Sequence, residues 1–287
     1  MNDIILRATA ADSFVRAFVA DTREMVQTAY EKHSTMPVVT AALGRTLTAA
    51  AMMSCMQKNA EDRLTIKIKG NGPAGGIIVT ADGACHVKGF AENPYVDIPL
   101  KPNGKLDVSG AVGQGTLSVI KDMGLKEPYI GEINIQTGEI AEDITYYFSV
   151  SEQIPSSVGL GVLVDTDMSV KCAGGFIIQL MPFAPDEVID RLENNLSDIK
   201  SVTSMYASGM TAEDILNKIL EGMNPEIVDR LAPEYKCDCS KDKVERALKL
   251  LDQSEIDSMI ADGEPVNIHC DFCNKDYTFE IEDLKKM

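Results

Sequence analysis

"VVTAALGRTLTAAAMMSCMQK", residues 38–58, decides how the rest of the chain is read. It is rich in Ala, Leu and Met, and its small residues let neighbours pack close. It follows Pro37, a residue that suits the first helical position. The stretch therefore reads as a long buried helix. What surrounds it is different. "DIILRATA" and "FVRAFVAD" alternate as strands do, and a short polar turn at Asp12 and Ser13 joins them as a hairpin. After the helix come "LTIKIKG", "GGIIVTAD", "CHVKGFAE", "GTLSVIKD", "YIGEINIQT", "DITYYFSVSEQ", "VGLGVLVD" and "CAGGFIIQLMP". These short β-branched or aromatic runs read as strands, with turn residues between them. One helix against many mostly antiparallel strands predicts an α+β core over residues 1–183.

Residues 184–232 change character and predict a helical linker domain. Val188, Ile189, Leu192, Leu196 and Ile199 follow helical spacing. Thr211 facing Asp214 opens a second helix as a capping box. Asn224–Pro225 reads as an N-cap and first helical position ahead of Ile227, Val228 and Leu231. These helices are short, acidic and amphipathic, so their stability must come from docking. Residues 233–287 change again. "SKDKVERALKLL" predicts a helix with Val244, Leu248 and Leu251 inward. "SEIDSMIADG" predicts another, opened by Ser254 facing Asp257 and closed by Gly263. "DYTFEI" reads as a closing strand.

The chain has 287 residues, 45% apolar and 25% charged, which suits globular domains with sizeable cores. No apolar run approaches membrane-spanning length, and no leader pattern stands at the start, so a cytoplasmic protein without membrane partners is expected. The net charge is −17, which argues against nucleic acid as a partner. The acid is concentrated late: 15 basic and 20 acidic residues in 1–183, against 12 and 24 in 184–287. Such charge serves solubility, and would also keep apart molecules that at times expose apolar surface.

Several motifs fail. "GNGPAG" at 70–75 has dinucleotide-loop spacing, but a strand follows where a helix is needed, so it is a hairpin turn. No phosphate-binding loop and no nucleophile elbow is present. His33 and His86 have no motif around them. Cys55, Cys85 and Cys172 sit alone in apolar or small-residue neighbourhoods and read as buried inert thiols.

The remaining four cysteines form two tight pairs, Cys237-x-Cys239 and, well downstream, Cys270-x-x-Cys273. Two pairs of thiols in a reducing compartment point to zinc. The C-x-C arm is shorter than the usual spacing. His269 adjoins Cys270, but four thiolates already complete a tetrahedron, so it reads as a bystander or a group behind the ligands. A unit of this size has little core, so zinc would decide whether it folds. Thiolates are also what oxidants attack. The partners in each pair are near enough for local disulfides, and such tiny loops cannot replace the metal as a staple. The residues alone leave staple, catalytic dithiol and folding switch open. A thiol–disulfide oxidoreductase built on Cys270 and Cys273 would lack its usual βαβ setting.

Taken in order, "AALGRTLTAA", "LTIKIKGNGPAGGIIVTADG", "GTLSVIKDMGLKEPYIGEI", "YYFSVSEQIPSSVGLGVLV", "AGGFIIQLMP" and "KCDCS…VNIHCDFCNKDYTF" resemble the redox-regulated thirty-three-kilodalton heat-shock chaperones of the bacterial cytosol. The resemblance spans essentially the whole chain. It implies an α+β chaperone core (1–183), a helical linker (184–232) and a zinc-binding redox domain (233–287). It implies a holdase, not an enzyme. Reduced, it would hold one Zn²⁺ on Cys237, Cys239, Cys270 and Cys273, and be an inactive monomer. Oxidised, it would form Cys237–Cys239 and Cys270–Cys273 disulfides, lose zinc, unfold its C-terminal domain and linker, dimerise, and hold unfolding client proteins without ATP.

Overall fold

The computed structural model describes residues 2–199 and 201–286. The chain divides into two units, Met1–Tyr235 and Lys236–Met287. In the first, β1 (Ile4–Ala10) and β2 (Val15–Asp21) form the expected hairpin, in full antiparallel register from Ile4↔Asp21 to Ala10↔Val15. Its turn holds Ala11, Asp12 and Ser13 at positive φ. Two helices follow, α1 (Arg23–His33) and α2 (Pro37–Ser54). Next come β3 (Arg63–Gly70), β4 (Gly76–Asp82) and β5 (His86–Ala91), then α3 (Val108–Val112), β6 (Gly115–Asp122) and β7 (Tyr129–Asn134). The "GNGPAG" stretch is the turn between antiparallel β3 and β4.

Helix α2 is the centre of the unit. Nearly every residue along it is buried, as expected for a helix that is apolar all round. It packs on strands of both large sheets. Close approach needs Gly44, where a Cβ would stand 2.6 Å from Val26 Cγ1 and 2.9 Å from Val162 Cγ2. Its buried hydroxyls are satisfied within the helix or across to the start of α1. Thr46 donates to the Ala42 carbonyl at 2.9 Å, and Thr48 lies 2.7 Å from the Thr22 hydroxyl.

The stretch expected as a strand at "DITYYFSVSEQ" is instead helix α4 (Ala141–Tyr147) running into a π-helical turn, Phe148–Glu152. Asp143 explains the difference. Its buried carboxylate accepts from the backbone N–H groups of Gln136 (2.7 Å), Thr137 (3.0 Å) and Ile140 (3.0 Å). Those bonds organise a helix start that the aromatic, strand-like composition conceals. Then β8 (Ser156–Val164) and β9 (Val170–Leu180) pair antiparallel.

Helices α5 (Asp186–Ser197), α6 (Val202–Ala207) and α7 (Ala212–Ile219) lie over the outer face of a sheet. The Thr211–Asp214 capping box is present, with Thr211 Oγ1 accepting from Asp214 N–H at 3.1 Å. Residues 226–231 are not a helix. They form edge strand β10 (Glu226–Leu231), antiparallel to β1. Asn224 sits at φ 50 and so turns the chain rather than capping a helix. The open edge of β1 offers Ile227, Asp229 and Leu231 a period-2 face, and ladder hydrogen bonds outweigh the proline signal. Two-residue β11 (Glu234–Tyr235) closes the unit, parallel to β5. The sheets are β10-β1-β2-β9-β8 and β11-β5-β4-β3-β6-β7. The expected α+β class, mostly antiparallel with one long buried helix, is borne out.

The second unit holds α8 (Lys241–Leu248), α9 (Gln253–Asp262), a two-stranded antiparallel sheet of β12 (Val266–Cys270) and β13 (Lys275–Phe279), and α10 (Ile281–Leu284). Helix α9 starts earlier than expected, with Asp252 rather than Ser254 at its N-cap, and ends at Gly263 at φ 73. The core is small: Leu248, Phe279 and Leu284 are buried, with Val244 packed against them. Leu251, expected inward, is exposed.

Candidate metal centre

Each arm of the cysteine set is placed by local structure. Cys237 and Cys239 lie on the extended segment before α8, whose start is fixed by Ser240 accepting from Lys243 N–H at 3.2 Å. Cys270 is the last residue of β12, and Cys273 sits in the turn to β13. The Cys270 carbonyl accepts from the N–H groups of Cys273 (3.2 Å) and Asn274 (2.8 Å), with Asn274 left-handed at φ 58. That turn folds Cys273 back beside Cys270. Lys241 joins the arms from outside, lying 3.2 Å from Asp283 and 5.0 Å from the Phe279 ring centroid. The second of these contacts sets its ammonium against the face of the ring. Lys243 also pairs with Asp238, between the first two cysteines.

The four sulfurs converge. All Sγ atoms of Cys237, Cys239, Cys270 and Cys273 lie within 4.8 Å of one another. Cys237 and Cys270 are 3.8 Å apart, and Cys239 and Cys273 are 3.1 Å apart. Tetrahedral thiolate ligands about 2.3 Å from a zinc ion stand about 3.8 Å from each other. The donor set therefore fits one tetrahedral metal ion. Cys273 is buried and the other three are half-buried.

The electrostatics separate the thiols. Burial pushes the Cys239 thiol up, but hydrogen bonds from Tyr277 (3.0 Å) and Cys273 outweigh it and bring it down to about 7. Cys273 is pushed up, first by burial and then by its bond to Cys239. Tyr277 was not singled out in the sequence. Its place in the register opposite Ile268, just beyond the turn at Asn274, is the signal that could have found it. His269 stands outside the sulfur set. Its Nδ1 lies 2.7 Å from Asp276, its cross-strand partner, and that bond raises its pKa.

The isolated histidines are also paired, His33 with Tyr235 at 3.0 Å and His86 with Asp82 at 3.0 Å. Cys55, Cys85 and Cys172 are buried in the first unit. Among the described residues, no helix is long and apolar enough to cross a membrane.

Fold and site define an α+β protein carrying a small unit that gathers four thiols for a metal ion. The chain belongs to the Hsp33 protein family, whose sequence profile matches residues 3–280. It is 57% identical over 287 residues to the 33 kDa chaperonin of Agathobacter rectalis, covering 100% of both chains. It is 53% identical to that of Lachnoclostridium phytofermentans over 285 residues, 99% of this chain and 98% of the other. The crystal structure of the 33 kDa chaperonin (heat shock protein 33 homolog) from Thermotoga maritima superposes with a TM-score of 0.91 at 36% identity, covering 100% of this chain and 97% of that one. The family is one of chaperones, not of enzymes.

Proposed function

We propose that this chain is a redox-regulated, ATP-independent holdase of the cytoplasm, inactive when reduced and switched on by oxidation. The observation that carries the reading is the convergence of four sulfurs in a unit whose small apolar core centres on Leu248, Phe279 and Leu284. Cys237, Cys239, Cys270 and Cys273 are the proposed ligands of one zinc ion. Bound there, zinc would contribute roughly 10–16 kcal/mol of folding free energy, as in small zinc modules.

Oxidation acts on the same sulfurs. The thiolates of Cys237 with Cys239, and of Cys270 with Cys273, each give up two electrons to one peroxide, which takes two protons from solvent and leaves as two waters. Each pair becomes a disulfide, and its sulfurs are no longer thiolate ligands. The functional division is into core 1–183, linker 184–232 and redox domain 233–287. The linker reading is supported by what it covers. Ile215, Leu216 and Ile219 pack with Leu6, Val15, Val19 and Phe176 on the outer face of a sheet. Undocking the linker would uncover that face for unfolding client proteins, and two uncovered faces could pair as the oxidised dimer.

The sulfur distances favour a second pairing as well. Two short separations run between the arms, Cys237 to Cys270 and Cys239 to Cys273. Cross-arm bridges would keep the unit stapled, whereas local bridges would not. Peptide mapping of the oxidised chain distinguishes them. The test of function is aggregation of a heat-unfolded client, with reduced zinc-loaded protein against peroxide-treated protein. Suppression by the oxidised form alone is expected; equal suppression by both sinks the switch.

A further inference from the structure

Two of the thiols expected to be inert face each other. Cys55 follows the last residue of α2, and Cys85 lies in the turn before β5. Their sulfurs are 2.9 Å apart, with Cys55 6% and Cys85 1% exposed. A disulfide has its sulfurs about 2.05 Å apart, so a movement of less than an ångström joins them. Both residues sit where a regular element ends, and Cys85 already occupies a turn at φ 65. Such positions adjust more easily than the middle of a strand or helix.

We propose that Cys55 and Cys85 are a second peroxide-oxidisable dithiol, in the first unit and separate from the four-cysteine cluster. The two thiols are not equivalent. The hydrogen bond from Cys55 holds the Cys85 thiol below its ordinary range although burial opposes it. The same bond, with burial, pushes Cys55 up. Cys85 is therefore the attacking sulfur and Cys55 the resolving one. The Cys85 thiolate displaces hydroxide from hydrogen peroxide and becomes a sulfenic acid. The Cys55 thiol then attacks that sulfur, the S–S bond forms, and the sulfenic oxygen leaves as water with the Cys55 proton. In the sum, two thiols lose two electrons to one peroxide, which becomes two waters.

Access comes through the turn. Ala84 is exposed beside Cys85. The Cys85 carbonyl accepts from Glu234 N–H at 3.1 Å, at the start of the two-residue strand β11. Peroxide reaches Cys85 when the Glu234 N–H bond to the Cys85 carbonyl opens, a local fluctuation at the exposed end of β11 that leaves the buried Tyr235 in place.

The experiment uses the full wild-type chain treated with hydrogen peroxide at raised temperature, alkylated under denaturing conditions and digested. The expected result is a peptide pair joined through Cys55 and Cys85, lighter by two hydrogens and split by reductant, in most chains. The bridged form should melt several degrees higher in residues 1–235. In Cys55→Ser, Cys85 should instead be captured as the sulfenic acid by dimedone. Recovery of both wild-type thiols fully alkylated after prolonged treatment, or only as mixed bridges to other cysteines, overturns the proposal. The wild-type mapping decides even where the variant does not fold, and its outcome is independent of whether the holdase switch exists.

Discussion

The two proposed local bridges should fail to keep residues 236–287 folded when the protein is treated with peroxide at raised temperature. A three-residue loop closed by Cys237–Cys239 constrains the unfolded chain by about 1.6 kcal/mol, and the four-residue loop of Cys270–Cys273 by about 1.9 kcal/mol. Together they supply about 3.5 kcal/mol even without strain, against roughly 10–16 kcal/mol for a bound structural zinc. The exchange leaves the unit short by about 6.5–12.5 kcal/mol, while a core this small rarely holds more than about 3–5 kcal/mol in reserve. Its buried aliphatic and aromatic residues, Leu248, Ile256, Phe279 and Leu284, give no reason to expect more. A cross-arm Cys237–Cys270 bridge would instead constrain a far longer loop, worth about 3.8 kcal/mol alone, and would keep the hairpin tied to its partner arm. The assay is hydrogen exchange read by mass spectrometry, with zinc followed by a chromophoric chelator and bridges mapped in the same samples. Amides of β12 and β13 should lose protection as local bridges appear. Local bridges at full occupancy with β12–β13 protection unchanged would refute the reasoning.

Three further outcomes follow from particular contacts. Leu216 is a fully buried side chain of α7. Leu216→Ala should weaken linker docking by about 2–5 kcal/mol, so that the reduced protein begins to suppress client aggregation in a light-scattering assay. Gly44→Ala forces a methyl into Val26 and Val162. It should cost about 1–3 kcal/mol, measured by denaturant unfolding of the first unit. Asp3, whose carboxylate accepts from Glu24 N–H (2.8 Å) and Met25 N–H (2.7 Å), is nonetheless raised by burial from 3.8 to about 6. Its folded pKa lies above its unfolded one, so its contribution to stability is full below about pH 4 and lost as pH rises through about 6. Asp3→Asn should flatten that part of the melting-temperature profile between about pH 4 and 7 relative to the wild type.

The composition of residues 38–58 was enough to place α2, because a helix without a polar face has nowhere to go but the core. Alternation was enough for the β3–β4 hairpin, whose strands have one dry face, and it placed β1 and β2 although helices cover their second face as well. It failed at residues 141–152, where Asp143 gathers three backbone N–H groups from a preceding loop that sequence spacing does not reveal. It failed again at residues 226–231, since the decisive partner is the open edge of β1, at the opposite end of the first unit's chain. The site divides in the same way. Paired spacing made Cys237, Cys239, Cys270 and Cys273 legible as a set, and the structure brings their sulfurs together. Tyr277 and the Cys55–Cys85 contact were not legible, because both depend on through-space neighbours that no spacing rule encodes.

The last residue of the first unit is held with unusual care for a two-residue strand. Tyr235 is 7% exposed, and its hydroxyl donates to the Gly89 carbonyl at 2.8 Å and meets His33 at 3.0 Å. A rivet placed there sets how far a melting front can run backwards along the chain. If residues 236–287 come loose while Tyr235 stays fixed, they form a tail anchored at one end, with a root-mean-square span of roughly 40 Å. All four sulfurs then stay on one leash. Within each chain, regathering them after reduction is then a search by one short segment through its own volume, first order in that chain.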